Sequence, residues 1–181
     1  MPWDANSRAP PCAVSSRHCA LTVELALAPT GLFSGGGRTM DAAFADYAWS
    51  NDLRIAKLTG QRFTEAYRAN VLGKLGSRFD STTSTLALCA VALTAPAREL
   101  EALKVLQEAR YVQGLDTADV AVVAQLLRTL GLTAAAERLL NPDVALHETH
   151  AARVQAAQRL MRRHRVQGVP ALVVHSAAGD R

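Results

Sequence analysis

The sequence predicts an α/β chain in which helices dominate and strands occur only near the two ends of the folded region. Hydrophobic residues make up 49% of the 181 residues, but aromatic residues make up only 5%. This mixture suits tightly packed helices better than a strand-rich sandwich. Alternating apolar residues lie near one end and a continuous apolar run near the other, with helical periodicity between them. We therefore expect the order strand, many helices, strand within one domain.

The first 20 residues differ in composition from everything that follows. Prolines, serines, arginines and two of the three cysteines crowd together there without a helical or strand period, which predicts an irregular leader over residues 1–20. A two-residue repeat then predicts a strand that runs to Pro29. The apolar positions of that strand are Leu21, Val23, Leu25 and Leu27.

A glycine-rich loop over residues 31–37 follows the predicted strand. It has neither a Gly-Lys-Ser/Thr sequence nor the Gly-x-Gly-x-x-Gly spacing that opens a phosphate-binding helix. We interpret it as a flexible connector, with a phosphate cradle as the alternative.

Capping residues and glycine stops divide the next hundred residues into helices. A first pair is predicted over residues 40–50 and 51–59, with Gly60 as the stop, and a short helix over residues 64–72. Later helices are predicted to begin at Ser81 or Thr82, at Pro96, at Asp116 or Thr117, at Thr133 and at Asn141-Pro142. Expected buried positions include Leu86, Cys89, Ala90 and Leu93 on one of these helices and Val120, Val123, Leu126, Leu127 and Leu130 on another.

A Gly-Val-Pro turn leads directly into an apolar run at residues 166–174 and is the most informative feature of the chain. A proline that enters a strand cannot donate to the sheet ladder, and a tight turn at that point favours a cis bond before the proline. We predict a strand over residues 171–174, entered through a cis Val169–Pro170 bond. The alternative is a purely structural turn at an edge strand.

Four segments carry a family resemblance: residues 60–67, residues 109–117, the Gly131-Leu132 stop and residues 167–171. Together they resemble the DsbA family of thioredoxin-like proteins, above all its cytoplasmic bacterial members, over about residues 21–174. The resemblance implies a thioredoxin-like sheet remnant with a large helical insertion at about residues 39–140, in a domain of residues 21–181. It also implies that the turn of Gly168, Val169 and Pro170 binds substrate, because in this family the backbone before the proline pairs with a substrate peptide.

The chain departs from the family pattern at the reactive thiols. Family members place a strand and a Cys-x-x-Cys before the strand that matches residues 21–27, and they continue past the proline strand with another strand and a helix; both parts are missing here. Cys12 and Cys19 are seven residues apart, or about 10 Å along a helix at roughly 1.5 Å per residue. That exceeds the roughly 4.4–6.8 Å between the Cα atoms of a disulfide. We predict no catalytic residue, and we interpret Cys89 as a small buried side chain.

These observations lead to one expected function and two alternatives. We expect a thiol-disulfide oxidoreductase or isomerase by ancestry that is redox-inactive in this form. The alternatives are a peptide or small-thiol binding module that uses the proline turn, and a truncated or frame-shifted copy of an active oxidoreductase or of a related glutathione transferase or isomerase. Expected partners are protein or peptide thiols and disulfides, glutathione, and a second copy of the chain in a homodimer.

Composition limits the other classes of function. The net charge is +4 with a pI near 9.3, which is too mild to predict nucleic-acid binding. The chain has no apolar run of eighteen residues and no paired metal-ligand spacing of cysteines, so we expect no membrane span, no metal, no cofactor and a cytoplasmic location. We interpret the basic stretch at residues 159–165 as a solvated helix end that complements the helix dipole, with an anion-binding patch as the alternative.

Overall fold

A computed structural model describes residues 25–35, 38–176 and 179–180 of the chain. Helices dominate these residues, and the predicted helix-rich fold class is confirmed. The predicted leader over residues 1–20 lies outside the described residues. The helices are α1 Ala42–Thr59, α2 Glu65–Tyr67, α3 Thr82–Thr94, α4 Glu99–Tyr111, α5 Val120–Thr129, α6 Thr133–Leu140 and α7 Val144–Arg163.

Shorter elements complete the described part of the chain. Helix α2 continues as a π-helical turn over Arg68–Leu72, and a 3₁₀ turn over Pro96–Arg98 leads into α4. Strands β1 His175–Ser176 and β2 Gly179–Asp180 pair antiparallel, with His175 opposite Asp180. The domain limits and the insertion boundaries stay predictions.

Helix α3 forms the centre of the larger hydrophobic core. Its five successive residues 87–91 are all buried, and because consecutive residues turn by about 100°, every side of the helix is covered. Helices α4, α5, α6 and α7 supply that cover. The sequence predicts a single buried face for α3, which is too narrow. Leu93, which is part of that predicted face, is 39% exposed.

Helix α5 begins later than the sequence indicated. Its N-cap is Asp119, which accepts a 2.8 Å hydrogen bond from the Ala121 amide, and not Asp116 or Thr117. The carboxylate of Asp116 instead turns the preceding loop by accepting a hydrogen bond from the Ala118 amide. Because Val120 therefore lies in the first turn, it is 42% exposed, whereas the predicted core residues Val123 and Leu127 are fully buried.

Helix α1 is continuous, where the sequence predicted two helices. The Ser50 hydroxyl and the Asn51 amide both donate hydrogen bonds to the Tyr47 carbonyl. Neither glycine nor proline occurs at this point, so these polar side chains are accommodated on the helix surface without breaking it. The helix ends at Gly60, which adopts a φ of 75°, as the predicted stop requires.

A second, aromatic core lies between α1, α2 and the C-terminal end of α4. It is built on the buried residues Met40, Phe44, Tyr67, Val71 and Leu72. Phe63, Phe79 and Tyr111 pack around it, and their rings meet neighbouring rings edge to face at 4.8–5.2 Å. Such pairs stabilise a core beyond the area that they bury.

The two predicted strands do not form ladders in the described residues. Residues 25–29 and 171–174 have no strand pairing, and Leu21 and Val23 lie outside the described residues. Side chains of α7 hold the first segment instead: Arg153 donates a 2.8 Å hydrogen bond to the Leu27 carbonyl, and Gln158 donates one to the Thr30 carbonyl. The backbone groups that a neighbouring strand would use are thus partly engaged by a helix.

Candidate functional site

The turn predicted to bind substrate follows α7 after four intervening residues, 164–167. Its Val169–Pro170 peptide bond is cis. Gly168, Val169 and Pro170 are all exposed, and the Val169 side chain is 42% accessible. The backbone of Val169 forms no hydrogen bond with any other described residue. Its amide and carbonyl can therefore pair with an extended peptide, as exposed backbone does when a strand is added to an edge.

The end of α7 positions this turn through a tight backbone cap. The Val166 amide donates to the Met161 carbonyl at 2.9 Å, and the Arg165 amide donates to the Arg162 carbonyl. These are the two hydrogen bonds of a Schellman cap, whose left-handed position is usually glycine. Here that position is Arg165, which has a φ of 52°. A left-handed conformation costs a residue with a side chain about 1–2 kcal/mol.

An open groove of about 450 Å³ lies beside the cap. It is lined by Gln158, Met161, Arg162, Arg165, Val166 and Gln167. Met161 and Val166 are half-buried and form an apolar surface, while both arginines are exposed. Because Gln167 is two residues before Val169, the groove ends at most about 7 Å along the chain from the turn.

The two arginines of the groove form no ion pair with any acidic residue in the described part of the chain. Arg162 lies in the last turn of α7, where a positive charge complements the negative end of the helix dipole. The groove therefore presents two cations beside an apolar surface, close to an exposed peptide backbone. This arrangement suits an anionic, peptide-like ligand.

The described cysteine does not contribute a reactive thiol. Cys89 is free and fully buried in the middle of α3. Burial raises the pKa of its thiol, although the nearby Arg153 guanidinium acts in the opposite direction. The interpretation as a small buried side chain is confirmed. Cys12 and Cys19 lie outside the described residues.

The glycine-rich loop is docked over its described residues 31–35, in contrast to the flexible connector that we expected. The Ser34 and Ser81 hydroxyls lie 3.4 Å apart, and the Gly35 amide donates to the Thr82 hydroxyl at 3.1 Å. The loop thus covers the N-terminal end of α3, which a phosphate cradle would leave open. Gly36 and Gly37 lie outside the described residues.

The described residues contain neither a metal-binding cluster nor a membrane-spanning helix. No group of three or more His, Cys, Asp or Glu side chains there is placed to hold a metal ion. Among the described helices, none combines the length and the apolar character that crossing a bilayer requires.

Sequence reasoning did not identify the groove as a unit, although a signal for it was present. Residues 158, 161 and 162 follow the i, i+3, i+4 spacing that places side chains on one helix face, whereas Arg165 lies beyond the end of the helix. The sequence pattern alone predicts a solvated helix end for the arginines. The structure brings them together beside the predicted substrate-binding turn.

Comparisons with known proteins identify the family. The sequence matches no protein-family model and no curated protein sequence. The structure is similar to the cytosolic disulfide reductase DsbM from Pseudomonas aeruginosa, with 30% identity, a TM-score of 0.70 and coverage of 81% of this chain and 70% of that one. A structure of the same reductase with GSH gives 28% identity, a TM-score of 0.70 and coverage of 82% and 70%.

A third solved structure supports the fold. It is that of a proposed protein disulfide isomerase from Nitrosomonas europaea, with 22% identity, a TM-score of 0.66 and coverage of 82% of this chain and 69% of that one. The resemblance inferred from residues 60–67, 109–117 and 167–171 is confirmed. The chain belongs to the DsbA-like family of thioredoxin-like disulfide oxidoreductases and isomerases.

Proposed function

We propose that the chain binds peptides or small molecules that carry a thiol or a disulfide, through the exposed backbone of Val169. The observation that carries this proposal is that Val169 lies exposed at the end of α7 without a backbone hydrogen bond to another described residue. Family membership supports the choice of ligand, since the Pseudomonas relative is a disulfide reductase and has a structure with GSH. Gly168 and Pro170 flank Val169 and shape the turn.

The chain alone performs no dithiol exchange in this proposal. Its 181 residues contain three cysteines and no Cys-x-x-Cys, whereas exchange requires a thiolate and a second thiol close enough to resolve the mixed disulfide. Cys89 is a poor nucleophile because it is buried and its thiol pKa is raised. The retained function is therefore substrate binding, with no catalytic residue assigned.

The similarity to the Pseudomonas reductase also supports a cytosolic location. The Pseudomonas relative is cytosolic, and we place this chain in the same compartment. Cell fractionation with antibody detection tests this, and recovery of the protein outside the cytosol would contradict it.

Backbone pairing at Val169 is tested by titrating the ¹⁵N-labelled 181-residue chain with a short cysteine-containing peptide. Amide signals of Val169 and Ala171 should shift in a saturable way. The same peptide with its backbone amides methylated around the cysteine should bind at least about fivefold more weakly, because each lost hydrogen bond contributes about 1 kcal/mol.

Two controls separate this mechanism from its alternatives. Val169→Ala keeps the backbone and should retain most of the affinity. Equal binding of the methylated peptide, or shifts confined to other regions, would overturn the proposal. Strong insulin reduction that disappears in Cys19→Ser would instead identify an active oxidoreductase.

The exposed apolar residues that follow the turn support a homodimer as well. Leu172 and Val174 are 64% and 48% exposed, and an uncovered apolar segment with unpaired backbone favours pairing with a second chain. Light scattering should give twice the mass of the chain, and Leu172→Lys should shift the measured mass towards that of the monomer. A monomer at high concentration would contradict this.

A further inference from the structure

The last turns of α7 carry a charged face that substrate binding at Val169 does not itself require. Gln158, Met161 and Arg162 of α7 line the groove together with Arg165, which lies two residues beyond the end of the helix. The surface of the groove combines the apolar side chain of Met161 with two guanidinium groups. A ligand that fills it needs an aliphatic part and a negative charge.

Charge balance in the described residues supports such a ligand. Five arginines elsewhere form ion pairs with Asp or Glu, namely Arg68, Arg98, Arg128, Arg138 and Arg153. Arg162 and Arg165 are exposed and form none. Their donors are available to an anion from outside.

The backbone at Arg165 adds an independent argument. The left-handed cap position favours glycine, and Arg165 occupies it at a φ of 52°. Neither the Schellman hydrogen bonds nor the turn that follows requires an arginine side chain. The cap therefore gives no local reason for an arginine here, whereas the groove offers its guanidinium a place to bind an anion.

We propose that Arg162 and Arg165 bind a carboxylate of the substrate and so select acidic thiol compounds. This inference rests on the proposed function. A guanidinium donates two parallel hydrogen bonds to a carboxylate, which gives both affinity and orientation. Arg165 lies four residues before Val169, at most about 14 Å of chain, so the carboxylate lies within about four residues of the cysteine. It belongs either to a tripeptide thiol or to an Asp or Glu beside a protein cysteine.

The test compares matched ligands on the 181-residue chain. Peptides with glutamate or glutamine beside the cysteine, together with reduced glutathione and its dimethyl ester, are titrated by calorimetry. The charged form of each pair should bind more tightly. With the double variant Arg162→Gln/Arg165→Gln, the charged ligand of each pair should bind about tenfold to a hundredfold more weakly, as expected for the loss of charge-assisted hydrogen bonds. The affinity for the uncharged ligand should change less than about twofold.

Matched variants separate recognition from folding. Arg159→Gln removes an exposed charge from the same helix outside the groove and should leave both affinities within about twofold. Arg165→Gly should raise the melting temperature by about 2–4 °C, because it relieves the left-handed cap, yet still weaken binding of the charged ligands. Lower affinity together with higher stability excludes unfolding as the cause.

The outcomes also separate this inference from the proposed function. If glutamate and glutamine peptides bind equally and both shift Val169, carboxylate selection is wrong and the proposed function stands. If Arg159→Gln weakens binding as much as the groove variants, net charge and not the groove is responsible, and the inference is overturned. If neither peptide nor glutathione binds, both proposals fail. A charge preference in the glutathione pair alone identifies a small thiol as the source of the carboxylate.

Discussion

The Tyr67 hydroxyl donates a 3.0 Å hydrogen bond to the Asp52 carboxylate. This bond joins α1 to the aromatic core. Phe44 is the one buried residue that α1 supplies to this core. Burial raises the pKa of Asp52, although the Tyr67 hydrogen bond and the Arg110 charge act in the opposite direction. Burial also raises the pKa of Tyr67, and the neighbouring Asp52 charge adds to this effect. The contact therefore holds a carboxylate in surroundings that disfavour its charge.

The raised pKa of Asp52 predicts a specific pH dependence of stability. A carboxyl group whose folded pKa exceeds its unfolded value contributes stability below the unfolded pKa, near 4, and loses it as the pH rises through the folded pKa. Asp52→Asn keeps an oxygen that accepts the Tyr67 hydrogen bond and removes the charge. Relative to the wild type, its melting temperature should increase between pH 4 and pH 7.

Asp46→Asn, an exposed substitution on the same helix, is the control and should leave the pH profile close to that of the wild type. Parallel melting curves for wild type and Asp52→Asn across this range would show that Asp52 does not titrate in the folded protein as proposed.

Gly114 illustrates a position where only glycine fits. Its φ is 70°, and a Cβ atom would lie 2.5 Å from the Ala66 carbonyl oxygen. Gly114→Ala should therefore destabilise the protein by about 2–4 kcal/mol, from the left-handed backbone and the clash together. Gly131 has a similar φ of 75°, but a Cβ atom there would meet open space. Gly131→Ala should therefore destabilise the protein by only about 1–2 kcal/mol. Urea unfolding of both variants measures the difference, and equal losses would contradict the role of the clash.

Cys89 should resist chemical modification in the folded protein. Its full burial blocks access, and its raised thiol pKa reduces the reactive thiolate. Mass spectrometry after iodoacetamide treatment should find the Cys89 peptide unlabelled under native conditions and fully labelled in guanidinium. Rapid native labelling at neutral pH would show that the interior of α3 opens readily.

The ion pair between Arg153 and Glu99 links α7 to α4. Arg153 Nη1 lies 2.6 Å from Glu99 Oε1, and the two side chains are only 21% and 14% exposed. Arg153 also donates to the Leu27 carbonyl. Arg153→Met leaves the Glu99 charge largely buried without its partner and should cost about 3 kcal/mol.

Adding Glu99→Leu to Arg153→Met should recover part of that loss, because no isolated charge then remains. Thermal or urea unfolding of both single variants and the double variant gives the coupling energy. Additive effects would mean that the two groups do not interact in the folded protein.

Local signals explain which parts of the fold could be predicted. Gly60 and Gly131 mark helix ends through hydrogen bonds within about four residues, and α1 and α5 end beside them as predicted. The start predicted at Asn141-Pro142 was wrong by two residues, because the Asp143 carboxylate accepts the Leu146 amide and caps α7. Other predictions failed where distant groups decide the outcome. The segment at residues 25–30 forms no ladder, and Arg153 and Gln158, more than 120 residues away, bind two of its carbonyls instead.

The sequence by itself determined the helix-rich class, most helix ends, the Gly-Val-Pro turn and the family, because each depends on residues close together in the chain. Only the tertiary structure decided that α3 is buried on every side, that Asp119 caps α5 and that Arg165 adopts a left-handed backbone. The groove beside Val169 belongs to the second group. Arg165 lies beyond the end of α7 in a left-handed conformation, and helical periodicity carries no information about the path of the chain there.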